Sequence, residues 1–582
     1  MSTTLPRWAE EMRELFRSGS VAQFLLHGNV FDVVQVKEES GVRILPLGPF
    51  LDDLMFAGWD VVLHYDRSRG IRASRGGEDF GRFLEQALGD AAGDLGRTSD
   101  PAAALELLDR YLLRTLNLQR LAQSRGQSAD DDVPRRIAVV IDFAEFVVPR
   151  GDPLALGGGF SANVVKVLGW ANDPEILGAN IATVLISEGL HDLSEVVVEN
   201  PHAATLQIPL PDEDEMRAYL GALATSELSG LEARCDLPLD TVARRLTGLS
   251  RAGARKALGT ALHNDRRVTA EWLSKKKKEL IERECAGLLE FLESPFTLDN
   301  LAGNEAVKAW LREDTLLLRR GALHALPMGY LIAGRIGTGK TFLVQCWAGE
   351  LGVPCVVLKN FRDRWVGATE SNLERIFDVL RALGQVVVFV DEADQATGKR
   401  DGGGEDGGLS GRVYSMLAKE MSETRNRGRI LWVFATSRPD LVEVDLKRQG
   451  RLDVHIPLFP PDTAAEMKAL LIAIAKKMRA PVGEADVPEL PEKILLGPSE
   501  IEGALVRALR AFELAAEPRP PLRDVLGQVL REIRPSADGR RLEYMDMVAV
   551  KECTDVRFLP ARFRDLTPEQ IEARLAELRK FV

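Results

Sequence analysis

The stretch Tyr330-Leu-Ile-Ala-Gly-Arg-Ile-Gly-Thr-Gly-Lys-Thr341 constrains this chain more than any other. Tyr330 to Ala333 is a short apolar run that reads as a buried strand, and Leu343 to Leu351 reads as a helix. Between them Gly334, Arg335, Ile336, Gly337, Thr338, Gly339, Lys340 and Thr341 fit the pattern G-x-x-x-x-G-K-[ST]. Strand, glycine-rich loop and helix in that order make a cradle for phosphate. Glycines let backbone N–H groups close on the anion at the helix N-terminus. Lys340 can reach the β- and γ-phosphates of a nucleotide, and Thr341 can offer its hydroxyl to Mg2+. A chance glycine-rich turn is the competing reading, and the flanking strand and helix argue against it.

A length of 582 residues implies several domains. Hydrophobic residues at 45% and charged residues at 28% are those of an ordinary soluble protein. No apolar run approaches the roughly 18 residues of a membrane helix, and Met1 to Arg7 leads into an amphipathic segment without a signal-peptide core. Five scattered cysteines, an odd count without metal-ligand spacing, argue against a disulfide framework and for a reducing cytoplasm. A net charge of −12 argues against generic nucleic-acid binding, although a local basic patch stays open.

The first half alternates strands with helices, as a parallel α/β sheet does. Pro6 to Gly19 is an amphipathic opening helix. Strands are expected at Val21–His27, Trp59–Tyr65, Arg136–Asp142 and Ile181–Ser187, with helices at Asp79–Ala91 and Pro101–Gln123. Ser128 to Asp132 is an acidic segment with the residue types to bind a cation, but it reads first as a solvated turn.

The second half repeats this spacing. Asp142 to Ser187 is 45 positions and Asp391 to Ser437 is 46. Asp142 to Ile208, which opens Ile-Pro-Leu, is 66, and Asp391 to Ile456, which opens a second Ile-Pro-Leu, is 65. Ile208 to Ser250 is 42, and Ile456 to Ser499 is 43. The first half is therefore expected to be a second copy of one fold, with its chemistry lost. Gly28 is the counterpart of Gly334, but no Gly-Lys-Thr follows it. Phe143 replaces Glu392. Counting back from Ile-Pro-Leu, Asn200 and Ala203 stand where Arg448 and Arg451 do. Asp142 and Glu145 read as structural relics.

Trp272 to Cys285 reads as one charged helix running towards Leu292 and ended by Ser294-Pro295, leading into a helix at Asn304–Arg312. Its Lys275–Lys278 run is followed at once by Glu279, Glu282 and Glu284, the pattern of a solvated face.

Val387-Val-Phe-Val-Asp391-Glu392 is a strand running into two acids, 50 positions after Thr341. Asp391 would hold the Mg2+ shell and Glu392 would polarise the attacking water. Leu431 to Ser437 is a second strand whose tip puts Ser437 near the γ-phosphate, unless it merely ends the strand. Arg448 and Arg451, with Gly450 between them, can point together out of one edge and meet phosphate charge, unless they form surface ion pairs.

These motifs together resemble the AAA+ ATPases, and among them the protein-remodelling AAA group, over about Phe296 to Ala511. The resemblance implies a P-loop NTPase α/β subdomain with a helical lid, ATP and Mg2+ as ligands, and a homo-oligomeric ring, usually a hexamer. Gly334–Thr341 take the place of the family's Walker A cradle, Asp391 and Glu392 its Walker B acids, Ser437 its polar sensor, and Arg448 and Arg451 its arginine fingers, which act on the neighbouring subunit's nucleotide. Leu301, Ala302 and Gly303 look like the family's adenine-contacting entry, and Gly497 to Gly503 like the start of a lid helix. Arg335-Ile336 stand where the family has Pro-Pro, and Ser437 where it has Asn. A degenerate copy and a charged helix before an active module also resemble the AAA proteins encoded in chloroplast and cyanobacterial genomes. Trp365, Val366 and Gly367 look like the family's pore loop, in which an aromatic face grips polypeptide; core packing is the alternative for Trp365. Gly402 to Gly408 is expected to be a second mobile loop.

Helices are expected at Ala464–Arg479 and Ser499–Ala516 in the lid, then at Leu522–Arg534, Glu543–Lys551 and Pro568–Phe581. The expected division is a degenerate AAA-like domain at 1–262, a linker helix at 263–295, the large ATPase subdomain at 296–461, and the lid with its C-terminal extension at 462–582. The function implied is ATP hydrolysis driving the unfolding or remodelling of an unidentified protein through a central pore. A nucleotide-driven switch that threads nothing is the second reading, and a nucleic-acid remodeller the third, which the acidic balance disfavours.

Overall fold

The computed structural model describes residues 4–38, 41–89, 98–124, 134–151, 157–285, 287–359, 369–394, 407–489, 496–516, 518–533 and 539–581. They form two compact units: one runs to Ile281 and includes the helix Thr369–Leu383 except its last residue, and the other holds the rest.

The first unit contains Gln23–Gly28 (β1), Val33–Glu38 (β2), Gly41–Pro46 (β3), Val61–Asp66 (β4), Gly70–Arg75 (β5), Ile137–Ile141 (β6), Ile181–Ile186 (β7) and Ala203–Ile208 (β8). Its six-stranded sheet has the order β5-β4-β6-β7-β1-β8, parallel except for β5. Every residue of β4, β6 and β7 is buried. Such strands are continuous Val/Ile-rich runs because helices cover both faces of a parallel sheet. Ile137, Val139 and Ile141 enter one core, and Ala138 and Val140 the other. The helices Glu213–Thr225, Leu239–Leu246, Arg251–His263 and Ala270–Glu284 follow.

The second unit contains Leu289–Phe291 (β9), Gly329–Ala333 (β10), Cys355–Leu358 (β11), Val386–Val390 (β12), Ile430–Thr436 (β13) and Val454–Pro457 (β14). Its order is β14-β10-β13-β12-β11-β9, again parallel except at the β9 edge. Counted from β8 and from β14, the five parallel strands of the two sheets have the same permutation; the antiparallel edge strand differs, following the adjacent strand in the first sheet (β5) and preceding the whole sheet in the second (β9). The lid helices are Ala464–Lys477, Pro498–Leu514 and Leu522–Glu532, and the helices Gly539–Glu552 and Pro568–Leu578 come after them.

Strand register sharpens the repeat and corrects part of it. Ile141 pairs with Leu185 as Val390 pairs with Phe434, and Leu185 pairs with Leu25 as Phe434 pairs with Leu331. Asp142 is thus the counterpart of Asp391, and Gly28 of Gly334. Ser187, however, matches Thr436 rather than Ser437. On the far side Leu25 pairs with Thr205 and Leu331 with His455, so Ile208 matches Leu458, not Ile456. The two Ile-Pro-Leu segments are out of step by two residues, a slip that strand periodicity conceals because it keeps every side chain on the same face. Counting back from the corrected pair puts Val198 and Pro201 opposite Arg448 and Arg451, and neither is cationic.

The charged helix departs from expectation. It ends at Glu284; Gly287 then takes a positive φ of 72°, and Leu289–Phe291 pair with β11 as an edge strand instead of continuing the helix. The helix expected at Asn304–Arg312 runs on to Arg319, and the cradle helix begins at Lys340.

Candidate functional site

The cradle sits where β10 ends. A Cβ on Gly334 would run into the carbonyl oxygen of Leu458 on the neighbouring chain segment, so only glycine fits there. Gly339, at φ 89°, caps the helix Lys340–Leu351 and leaves its N-terminal N–H groups facing the loop. Lys340 Nζ donates to the carbonyls of Gly334 at 2.8 Å and Arg335 at 3.1 Å. Burial pushes its ammonium down to about 8, against the pull of Asp391, Asp394 and Glu392. A buried cation held by carbonyl dipoles suits an incoming polyphosphate.

Thr341 Oγ1 donates to Asp391 Oδ2 at 2.8 Å, and Asp391 Oδ1 accepts the Glu392 N–H at 2.9 Å. A hydroxyl and a carboxylate at that spacing are the hard oxygen donors Mg2+ takes. Glu392 is exposed and has a positive φ of 48°, a conformation sparsely populated by non-glycine residues and often kept for function. Ser437 is half-buried, one residue beyond β13. Thr436, fully buried, donates to Asp394 Oδ1 at 2.6 Å; sequence reading passed it over because its side chain is spent inside the protein.

A cavity of about 810 Å³ opens beside the loop, lined by Leu301, Ala302 and Gly303, by Gly337–Gly339, and by the lid. The entry segment and the cradle loop thus meet as the sequence suggests. Residues Arg557–Ala561 and Arg564 also line it, which no motif signalled. Arg448 and Arg451 do not line the cavity. Arg448 lies 3.0 Å from Asp445 with 70% of its side chain exposed, while Arg451 donates to the Asp445 carbonyl at 2.7 Å. Trp365, Val366 and Gly367 lie outside the described residues, as do 128–132 and 402–406.

The first unit keeps the backbone of this site and spends its side chains on structure. A Cβ on Gly28 would approach the Ile208 carbonyl to 2.8 Å, repeating the contact at Gly334. Phe143 has φ 55°, repeating the conformation of Glu392, but its ring meets Phe31 at 5.6 Å. Asp142 faces His64 Nδ1 at 3.5 Å, while His64 Nε2 holds Asp52 at 2.8 Å. Asp32 accepts the N–H groups of Arg251 and Ala252, both at 2.8 Å. The cavity there measures about 240 Å³, under a third of the other, and has no lysine among its described lining residues.

Three families match this chain. Residues 2–209 match the AAA+ chaperone N-terminal Rossmann-like domain, residues 214–286 the AAA+ chaperone second helical domain, and residues 330–459 the ATPase family associated with various cellular activities (AAA). The ATP-dependent zinc metalloprotease FtsH 1 of Symbiobacterium thermophilum is 33% identical over 220 residues, 36% of this chain and 37% of that protein. The Cell division cycle protein 48 homolog of Archaeoglobus fulgidus is 33% identical over 169 residues, 29% of this chain and 23% of that protein. The chloroplastic FTSH 1 of Oryza sativa subsp. japonica is 34% identical over 190 residues, 31% of this chain and 28% of that protein. The chain spans between 23% and 37% of the length of these relatives. No helix among the described residues is long and apolar enough to cross a membrane. With the sheet order, the cradle and its acids, and these matches agreeing, the chain belongs to the AAA+ ATPases.

Proposed function

We propose that this chain hydrolyses ATP at one site and uses the cycle to remodel or unfold protein substrates as a cytoplasmic homo-oligomeric ring, most simply a hexamer. The observation that carries the hydrolytic reading is the contact between Thr341 and Asp391 beside the buried ammonium of Lys340. Lys340 and the loop N–H groups hold phosphate. Thr341 and Asp391 would hold Mg2+, which supplies neutralising charge to the phosphates when bound. Glu392 orients and deprotonates the attacking water, and Ser437 stands by it at the tip of β13. The base lies between Leu301–Gly303 and the lid. Arg448 and Arg451 are the proposed fingers on a neighbouring subunit's nucleotide; the exposure of Arg448 outside its own cavity supports this, and Arg451 also holds the turn through the Asp445 carbonyl. Kinship with an ATP-dependent protease and a Cdc48 homologue favours a polypeptide substrate. Trp365, Val366 and Gly367 are the proposed grip on it. The division at 1–262, 263–295, 296–461 and 462–582 assigns the silent copy, the joint, the ATPase and the lid with its extension.

The decisive test is Glu392→Gln. The variant should bind ATP, lose turnover by two orders of magnitude or more, and retain protein substrate for identification in a pull-down. Undiminished turnover would overturn the assignment. A nucleotide-driven switch would instead capture a stable partner that the wild-type cycle neither unfolds nor releases.

A further inference from the structure

We propose that Asp546, on the helix Gly539–Glu552 beyond the lid, positions the phosphate cradle by holding the guanidinium of Arg335. The segment after the lid is then a working wall of the nucleotide site. This rests on reading Gly334–Thr341 as an ATP site.

Arg335 lies inside the cradle. Its carbonyl accepts from Lys340 Nζ at 3.1 Å and from Thr338 Oγ1 at 2.9 Å, so any movement of this residue is felt by the lysine. Its side chain is 14% exposed and that of Asp546 is 10% exposed, with Nη1 and Oδ2 separated by 3.7 Å. A guanidinium so far out of water needs a counter-charge, and removing one partner of such a pair strands the other. The resemblance noted from the sequence puts Pro at this position, which fixes φ by its ring and asks nothing of its surroundings. Arg335 has no such internal constraint, and Asp546 supplies an external one. The second carboxyl oxygen, Oδ1, is buried and has no hydrogen-bond partner among the described residues, which is not how a carboxylate kept merely for packing is accommodated.

The helix carrying Asp546 is fixed to the same sheet. Glu552 accepts from Lys447 Nζ at 2.6 Å, its carbonyl lies 2.8 Å from His455 Nδ1, and the His455 N–H donates to Thr554 at 2.9 Å. His455 belongs to β14, the neighbour of the cradle strand β10. Farther along, Phe558 is buried in the ATPase core with its ring edge-on to Trp310 at 5.6 Å. The following turn, through Arg564, then reaches the cavity wall. The segment therefore meets the nucleotide site at two places, the cradle and the cavity.

The charged groups facing Asp546 are Arg335 and Arg562, which favour its ionised form, and Glu543 and Asp462, which oppose it. Burial is the largest influence and pushes the carboxyl up to about 6. Above that pH the pair is charged on both sides; below it Arg335 loses its partner.

The test is a double-mutant cycle on the full chain, read as affinity for a fluorescent ATP analogue and as steady-state KM and kcat. Asp546→Asn should weaken binding and raise KM about five- to tenfold while changing kcat less than twofold. In the Arg335→Pro background the same substitution should change neither constant, because no guanidinium remains to be held. Wild-type affinity should fall below pH 6, and that fall should vanish in Arg335→Pro. Equal losses in both backgrounds, or no loss in either, would overturn the role of Asp546. If Asp546→Asn alone does not fold, a folded double variant supports the proposal, and a double variant that also fails to fold refutes it. Lys340→Ala separates the two layers. Wild-type chain that binds the analogue no better than Lys340→Ala overturns the ATP site and this proposal together. Lysine-dependent binding that ignores Asp546 overturns the proposal alone.

Discussion

Two arginines three positions apart have opposite fates. Arg451 turns back onto the Asp445 carbonyl, whereas Arg448 stays in solvent beside the Asp445 carboxylate. An exposed ion pair is worth little in isolation, so among the described residues no contact explains why Arg448 should be arginine. In the proposed ring, a neighbour's phosphate would. Arg448→Ala should therefore lower kcat about 1,000-fold or more with ATP affinity retained. Mixing it with Lys340→Ala subunits should recover part of the turnover, because each species supplies what the other lacks. Mixtures as inactive as their components would count against a ring. Arg448, Lys340, Asp391 and Glu392 were all legible in the sequence, since each belongs to a short motif with a mechanism. Thr436 and Asp546 were not: their partners are 42 and 211 positions away, and no local pattern announces them.

At the scale of elements, legibility followed chemistry and burial. Strands β4, β6, β7, β10, β12 and β13 announce themselves as apolar runs because helices cover both of their faces. The hairpin of β2 and β3 and the edge strand β9 do not, since edges are short and part-exposed. β9 was absorbed into the preceding helix because Leu288, Leu289 and Leu292 continue an apolar spacing. What decides the matter is distant: the β11 edge needs a partner, and Leu292 N–H donates to the Cys355 carbonyl at 2.8 Å. The helical lid was legible from its periodicity, but periodicity does not say what a helix covers, and so the role of Gly539–Glu552 stayed hidden.

The strand tips of the first unit carry their own prediction. Burial works against a charge on His64, but Asp142 and Asp52 outweigh it and lift the imidazole to about 9. A histidine raised above its unfolded value of 6.5 contributes stability that is fully present below pH 6.5 and is lost as pH rises through about 9. Urea denaturation of the first unit should show a loss of up to about 3 kcal/mol between pH 6.5 and pH 9.5, and His64→Gln should abolish most of that slope. A flat wild-type profile over this range would remove the charge from the account.

In the two units one permutation of five parallel strands occurs twice, and among the described residues one phosphate cradle occurs once. The two copies differ at the site in side chains more than in backbone: Phe143 keeps the positive φ of Glu392, and Gly28 keeps the close approach of Gly334. Lys340→Ala should accordingly remove all ATP turnover, to the limit of a coupled phosphate-release assay. Residual turnover above a few per cent, resistant to Glu392→Gln, would mean that the first unit is not silent.

The wall formed by Arg557–Arg564 also sets an order of events during synthesis. The cradle leaves the ribosome first and the lid second, but neither encloses a finished cavity. Some two hundred residues separate Lys340 from Arg564, roughly ten to forty seconds at ordinary translation speeds. Through that interval the nascent ATPase has its phosphate loop and its acids but not the segment that braces Arg335. With Asp546 bracing Arg335 as proposed, nucleotide would thus be held weakly until translation has passed Arg564.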